Sequence, residues 1–539
     1  MPRRILKFFN TTGPCNPDDH YMLPPEDRVR GAQLHRYVRD KLYWMLHAPR
    51  QTGKTTFLQS WMRQLNTTGE VTACYVSVER TQGITDLAQG MPEICTAIRQ
   101  WAEREKLPLP ELKTGMPGSM LSSIMGDWAA KTAPGPLVVL FDEVDCLEGE
   151  MLVSFLRQLR DGFASRGIGK FPVSVALVGM RDLKDYLATA KDGRPVNPGS
   201  PFNIKEDSAT LRNFSRENIA ALFARRTAAT GQQIEPAALD HVWERTRGQP
   251  WIVNSLFKRA TMRVLDEEDF SPVTLAHIRT AEQQMILARE THLDALAVRM
   301  EDPRVRRIME ALLAGSTNEQ AFDDDALRLC LDLGLVRQAP DRPAEIANPI
   351  YKEILARQMS QKTLNFIQPR ESFAWKREHP DGALDMDALL REFQKFWRRH
   401  SEIWESKSDY TEAFPHLLLM AFLQRIVNGG GRIEREFAAG RGRLDLAVEY
   451  KGAWHIIEIK IIHDYETVEL IREEGIEQTA AYRDKFAPPL PPPPPSFLPS
   501  LPAYLVIFDR RSAGKKTPWE QRLTWDANFQ NTGITVVGC

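Results

Sequence analysis

The stretch Ala48-Pro49-Arg50-Gln51-Thr52-Gly53-Lys54-Thr55 decides the reading of this chain. A short apolar run at 43–46 precedes it and a helical pattern at 55–65 follows, so a buried strand passes through a loop into a helix. Such a loop turns its backbone N–H groups towards one point, at the positive end of the helix dipole, and that suits a phosphate. Alanine stands where the Walker A pattern has its first glycine; the rest fits it. In that pattern Lys54 reaches the β- and γ-phosphates and the Thr55 hydroxyl holds Mg²⁺. The candidate nucleotide contacts are therefore Pro49, Arg50, Gln51, Thr52, Gly53, Lys54, Thr55 and Thr56.

Working outward, the run Val138-Val139-Leu140-Phe141-Asp142-Glu143 is a hydrophobic strand ending in two acids. Asp142 is the candidate Mg²⁺ ligand, and Glu143 the group that polarises the attacking water. Further apolar runs at 71–79 and 173–180 alternate with helical stretches, the pattern of a parallel α/β sheet. The last run ends at Arg181, a candidate sensor of the γ-phosphate, or else a solvated strand-end arginine. From about Ser215 the pattern turns helical, with two helices broken at Gly248-Gln249-Pro250. Residues 323–355 then read helix, strand, turn, strand, helix, as in a winged helix. Its opening acids, Asp323-Asp324-Asp325, favour docking on protein over reading DNA.

The C-terminal block opens with an apolar helix at 415–427, a Gly429–Gly431 turn, and strands at 443–450 and 454–462. A helix at 471–486 and a strand at 503–510 complete it, interrupted by a polyproline run read as a surface insertion. Asp445 falls on the first strand, Glu458 and Lys460 on the second. Alternation puts Glu458 and Lys460 on one face and Ile457, Ile459 and Ile461 on the other. Two carboxylates on neighbouring strands suit a hard divalent cation, and Lys460 beside them could steady a metal-bound water. Gln478 and Tyr482, one turn apart, face the same way. An ordinary half-exposed strand also reads Glu-Ile-Lys. Arg432, Arg435, Arg441 and Arg443 could attract phosphate locally, or form a solvated turn.

Composition frames both sites. A chain of 539 residues exceeds one core, and a net charge of -1 gives no global field towards nucleic acid. The six cysteines are scattered with no CxxC pair, which fits a reducing compartment. The opening MPRRILKFF lacks the apolar segment of a signal peptide, and no uncharged apolar run nears the roughly 20 residues of a membrane helix. A cytoplasmic protein without membrane contact is expected.

Eleven segments from GPCNPDDHYMLPPEDR through LHAPRQTGKTTFL, FDEVDCL, GQPWIVN, RETHLD and IANPIY to GRGRLDL, IEIK and EQTAAY carry a resemblance nearly end to end. The chain resembles a bacterial family of AAA-like ATP-binding proteins, close to STAND and archaeal-type P-loop ATPases, with C-terminal PD-(D/E)XK nuclease domains. The resemblance implies an α/β multidomain protein. Its expected parts are a P-loop ATPase core with an added strand at 1–205, a helical lid at 206–268 and a winged-helix-like module at 269–360. A linker at 361–409 and a restriction-endonuclease-like domain at 410–539 follow. It also implies that Lys54, Thr55, Asp142 and Glu143 act on ATP and Mg²⁺, and that Asp445, Glu458 and Lys460 form a nuclease triad supported by Gln478 and Tyr482. At that triad Asp445 and Glu458 would hold Mg²⁺, with Mn²⁺ as the alternative ion. His20 and Tyr21 would pack on the adenine. The expected partners are ATP and nucleic acid, DNA ahead of RNA, with a second copy or a partner protein as further candidates. The competing reading is a regulatory ATPase whose terminal domain binds nucleic acid or a partner without cutting it.

Overall fold

The computed structural model describes residues 7–24, 28–29, 31–112, 115–132, 135–166, 169–180, 205–288, 296, 298–313, 322–339 and 342–355. It also describes 383–406, 415, 418–420, 422–423, 431–439, 442–462, 466–485, 501–509, 511 and 525–539; residues 205–208, 434–439 and 442–445 are among those described by backbone alone. Two compact units result: residues 1–295 with 320–351, and residues 296–319 with 352–539.

In the first unit, strands β1 (Tyr43–His47), β2 (Thr72–Ser77), β3 (Leu137–Asp142), β4 (Ser174–Gly179) and β5 (Lys205–Thr210) form a parallel sheet. Its order is β2-β3-β4-β1-β5, which inserts β4 between the two strands that carry the sequence motifs. The expected P-loop α/β arrangement with an added strand is met. Alternation divides the side chains of the four central runs between two cores. Tyr43, Met45, Cys74, Val76, Val139, Phe141, Val175 and Leu177 pack against α3 (Leu87–Arg104), α4 (Pro117–Lys131) and α5 (Gly149–Phe163). Trp44, Leu46, Ala73, Tyr75, Val138, Leu140, Ala176 and Val178 pack against α1 (Gly31–Arg39) and α2 (Lys54–Thr68). Strand β5 escaped the sequence reading because Lys-Glu-Asp-Ser-Ala-Thr has no apolar run. An edge strand paired on one side tolerates that composition.

The helical continuation comprises α6 (Arg216–Thr230), α7 (Pro236–Thr246), α8 (Pro250–Arg259) and α9 (Leu275–Leu287). Ser215 starts α6 through a capping box with Asn218, satisfying otherwise orphaned N–H groups. The break between α7 and α8 is made by Arg247 (φ 48°) and Gly248 (φ 74°), and the Gln249 side chain caps α8 by accepting from Ile252 N at 2.6 Å. Phe9 of the N-terminal segment lies 5.9 and 5.1 Å from the rings of Phe223 and Phe257, so this segment is part of the helical core. Helix α10 (Pro303–Leu313) falls in the second unit. Residues 324–332 form α11, followed by the two-residue antiparallel strands β6 (Val336–Arg337) and β7 (Glu345–Ile346) and a helix from residue 349. The acidic run has a local cause: Asp323 caps α11, accepting from Asp325 N and Ala326 N at 2.9 and 3.0 Å.

A buried charge cluster ties α7 to α9. Glu282, 6% exposed, bonds His241 Nε2 at 2.7 Å and accepts from Arg245 Nε at 2.6 Å. Burial pushes its carboxyl up, but Arg245 and His241 together outweigh burial and hold it below the ordinary glutamate value. A depressed carboxyl contributes stability that is complete above the unfolded value of about 4.3 and is lost as pH falls through the folded value. Glu282→Gln should therefore cost about 1–3 kcal/mol at neutral pH. Acid melts of the two proteins should converge only once pH falls below the depressed folded value of Glu282.

The second unit has a six-stranded sheet in the order β12-β13-β11-β10-β9-β8. Its strands are β8 (Gly431–Ala439), β9 (Gly442–Tyr450), β10 (Ala453–Ile462), β11 (Ala503–Asp509), β12 (Trp525–Asp526) and β13 (Ile534–Gly538). The strands β8, β9 and β10 are antiparallel neighbours, whereas β11 joins β10, and β13 joins β11, in parallel. Three of the six go beyond the sequence reading. Arg432 and Arg435 stand on β8 and Arg443 on β9, not in a turn. Residues 429–430, Arg441 and the polyproline run lie outside the described residues. Within the stretch read as a linker, Met386–Ser406 forms α12, whose Phe393 and Trp397 rings lie 6.1 and 4.7 Å from Phe508. Helix α13 (Val468–Lys485) covers the opposite face, where Ile456, Ile462, Leu505 and Ile507 meet Ile471.

Candidate functional site

The loop between β1 and α2 owes its shape to two left-handed residues, Gln51 (φ 57°) and Gly53 (φ 84°), the second being the N-cap of α2. Glycine takes that conformation without strain. Thr52 is buried and its hydroxyl donates to Pro49 O at 2.8 Å, closing the loop from within. Lys54, 7% exposed, donates to Ala48 O at 2.9 Å and to Pro49 O at 3.2 Å, using two of its three N–H donors. Ala48, the departure from the motif, is fully buried, and its N–H donates to Gly179 O on β4 at 3.3 Å.

Thr55 and Asp142, 87 positions apart, meet: Thr55 Oγ1 donates to Asp142 Oδ2 at 2.7 Å. Tyr75 OH donates to the same oxygen at 3.0 Å, and Asp142 Oδ1 accepts from Glu143 N at 3.0 Å. Asp142 is wholly buried at the end of β3. Burial raises its carboxyl value, with the Thr55 hydrogen bond and Lys54 opposing. Burial likewise pulls the Lys54 ammonium down, with Glu143, Asp142 and Asp145 opposing. Glu143 is left-handed (φ 59°), which turns the chain sharply after the strand. Its carboxyl is pushed up to about 7 by burial first and then by Asp142 and Asp145, with Lys54 opposing. A hydroxyl and a carboxylate are hard oxygen donors, and Mg²⁺ is bound by few such protein groups together with phosphate oxygens, so the pair fits that ion.

These groups border a cavity of about 500 Å³, within the range of small-ligand sites. Arg50, Gln51, Gly53, Lys54, Thr55 and Thr56 line it, as does Glu143. Pro49 and Thr52 instead support the loop from behind. The N-terminal segment forms another wall: Cys15 N donates to Thr56 Oγ1 at 2.9 Å, and Tyr21 faces the cavity. His20 packs edge-on against Phe8, at 4.6 Å, and is not among the lining residues. Trp251 and Asn254 of α8 line the side formed by the helices, and Trp251 Nε1 donates to Thr11 O at 2.8 Å. Arg181 lies outside the described residues. Sequence reading missed Arg28, Tyr75 and Cys15, which no motif links to the loop.

Gly334 (φ 70°), in the turn from α11 to β6, presses on the loop from outside. A Cβ there would lie 2.6 Å from Pro49 Cβ and Cγ. Gly334→Val should thus displace Pro49, whose carbonyl accepts from Lys54, and weaken the ATP binding proposed below about tenfold in calorimetry.

In the second unit, Glu458 is buried on β10, and Lys460 is two residues on, on the same face. Lys460 Nζ lies 3.4 Å from Glu474 Oε1 on α13, and Gln478 Nε2 donates to the same oxygen at 3.1 Å. Glu474 is thus the group that joins the predicted Lys460 and Gln478. The i, i+4 spacing from Gln478 was its one sequence signal. Tyr482 packs against the core on the same helix. The last β9–β10 pair is Leu446 with Ile457, and Asp445 and Glu458 are the next residues along their strands. The Asp445 side chain lies outside the description.

Among solved structures the chain is similar to a Walker-type ATPase of Pyrococcus abyssi, with 14% identity, 64% of this chain and 99% of that chain covered, and a TM-score of 0.46. It is also similar to the ORC2 protein of Aeropyrum pernix (14% identity, 64% and 98% covered, TM-score 0.41). The RuvB Holliday junction branch migration motor of Thermotoga maritima is a third (15% identity, 61% and 93% covered, TM-score 0.34). No family model matches the sequence, and no curated protein does. Among the described residues no helix is long and apolar enough to cross a membrane, and none of the six cysteines is in a disulfide.

Proposed function

We propose that the first unit binds ATP with Mg²⁺ and hydrolyses it, and that the nucleotide state controls cleavage of a nucleic-acid phosphodiester, DNA ahead of RNA, by the second unit. The observation that carries the first half is the 2.7 Å contact of Thr55 with Asp142, beside the buried Lys54. A threonine opening a helix at the cavity wall and a wholly buried acid ending a strand have no packing reason to share a hydrogen bond next to an ammonium. Coordinating one cation supplies that reason. When bound, Mg²⁺ draws charge from the β- and γ-phosphates. Loop N–H groups and Lys54 hold the phosphate oxygens as negative charge develops on them. Glu143 orients a water in line with the γ-phosphorus and takes its proton. The bond from that phosphorus to its bridging oxygen breaks, and ADP and phosphate leave.

The second half rests on a buried Glu458 next to Lys460, on a strand whose neighbour carries Asp445 one residue past the last paired rung. Lys460, steadied by Glu474 and Gln478, would orient the attacking water, while Glu458 and Asp445 would share Mg²⁺ or Mn²⁺. The experiment is incubation of plasmid and linear DNA with the full chain, ATP and either cation. Cleavage should fall at least ~100-fold in Asp445→Ala and in Lys460→Ala. Equal DNA binding without cutting in wild type and variants would select the regulatory reading instead.

A further inference from the structure

We propose that Arg28 binds the phosphate next to the sugar, the α-phosphate, an inference that rests on the nucleotide reading above. Arg28 is 7% exposed and lines the cavity. Its Nε donates to Arg212 O at 2.8 Å, and its guanidinium lies 5.0 Å over the Phe214 ring, so two faces of the fork are fixed. The buried Nη2 has no hydrogen-bond partner among the described residues. A buried guanidinium donor left without an acceptor is costly, and native structures keep one where a ligand or water supplies the acceptor.

Its position says which ligand. A Cβ on Gly53 would lie 3.2 Å from Arg28 Nη1, so the guanidinium sits against the residue that opens α2. There the helix presents unpaired N–H groups and the positive end of its dipole. Two positive ends side by side call for an anion. Among the described residues the acids lining the cavity are Glu79 and Glu143, and Glu143 is a charged neighbour of Lys54. Lys54 has Glu143, Asp142, Asp145 and Arg50 as its charged neighbours, whereas Arg28 has the Cys15 thiol. Burial pushes that thiol up, which leaves it neutral. In the nucleotide reading Lys54 takes the β- and γ-phosphates, which leaves the phosphate next to the sugar to Arg28. A planar fork beside a helix N-terminus suits a phosphate oxygen pair.

The test is calorimetry of the full chain with ATP, ADP, AMP and adenosine, in wild type, Arg28→Gln, Arg28→Lys and Lys54→Ala. Arg28→Gln should weaken ATP, ADP and AMP alike by about 10–100-fold and leave adenosine unchanged. Arg28→Lys, which keeps the charge but not the fork, should fall between. Lys54→Ala should weaken ATP and ADP and spare AMP. AMP affinity within twofold of wild type in Arg28→Gln would overturn the assignment. So would a parallel loss of adenosine, or loss of far-UV circular dichroism in both Arg28 variants, since either makes Arg28 a framework residue. A wild-type chain that binds no ATP would instead sink the nucleotide reading, and this inference with it.

Discussion

Glu143→Gln should lower the ATP hydrolysis rate about 10²–10⁴-fold while leaving ATP bound at least as tightly as in wild type. Glutamine copies the shape of the side chain but takes no proton from water. Binding should survive because the carboxylate that is removed stands among like charges: Asp142 and Asp145 both raise its proton affinity. Removing one charge relieves that repulsion and admits the triphosphate more easily. Lys54→Ala gives the opposite pattern, because its ammonium is the buried cation at the loop and its loss weakens binding itself. Phosphate release together with calorimetry distinguishes the two. Equal loss of binding in both variants would place Glu143 in the phosphate cradle and not at the attacking water.

Gly248→Ala should be the most damaging single substitution in the helical part of the first unit, costing about 3 kcal/mol or more. Two effects add. Gly248 has φ 74°, where an L side chain is strained by roughly 1–2 kcal/mol. A Cβ would also lie 1.9 Å from Phe214 O, and Phe214 N donates to Gly248 O at 2.9 Å, so the two backbones cannot part without breaking that bond. Gly69→Ala is the control: φ is 70°, but nothing lies within 4 Å of its Cβ, so it should cost only the strain. Urea melts of the two variants should differ accordingly. ATP affinity should fall with Gly248→Ala alone, since Gln249 and α8 follow directly and Trp251 lines the cavity.

What sequence could and could not give follows from how each contact is made. The sheet was legible because four of its strands are apolar runs buried on both faces, and the nucleotide loop because its glycine and lysine have fixed offsets. The convergence of Thr55 with Asp142 was legible only through the motif, since nothing local links positions 87 apart. Arg28 and Tyr75 were not legible. Arg28 meets Arg212 across 184 positions and Tyr75 meets Asp142 across 67, and tertiary packing alone makes such pairs. Strands β5 and β12 were missed for want of an apolar run, one being polar and the other two residues long. Strand β13 is apolar and buried, but only five residues long. Glu474 was overlooked beside Gln478 because it looked like one more acid on an exposed helix face.

The proposed ATPase needs one cation-assisted triphosphate site made by the first turn of α2 and the end of β3. Titration of the full chain with ATP, with Mg²⁺ and then with EDTA, in wild type and Asp142→Asn, tests it most directly. Wild type should bind ATP, about tenfold or more tightly with Mg²⁺ than without, and Asp142→Asn should lose that difference. ATP affinity that ignores Mg²⁺ in wild type, or no ATP binding at all, would contradict it.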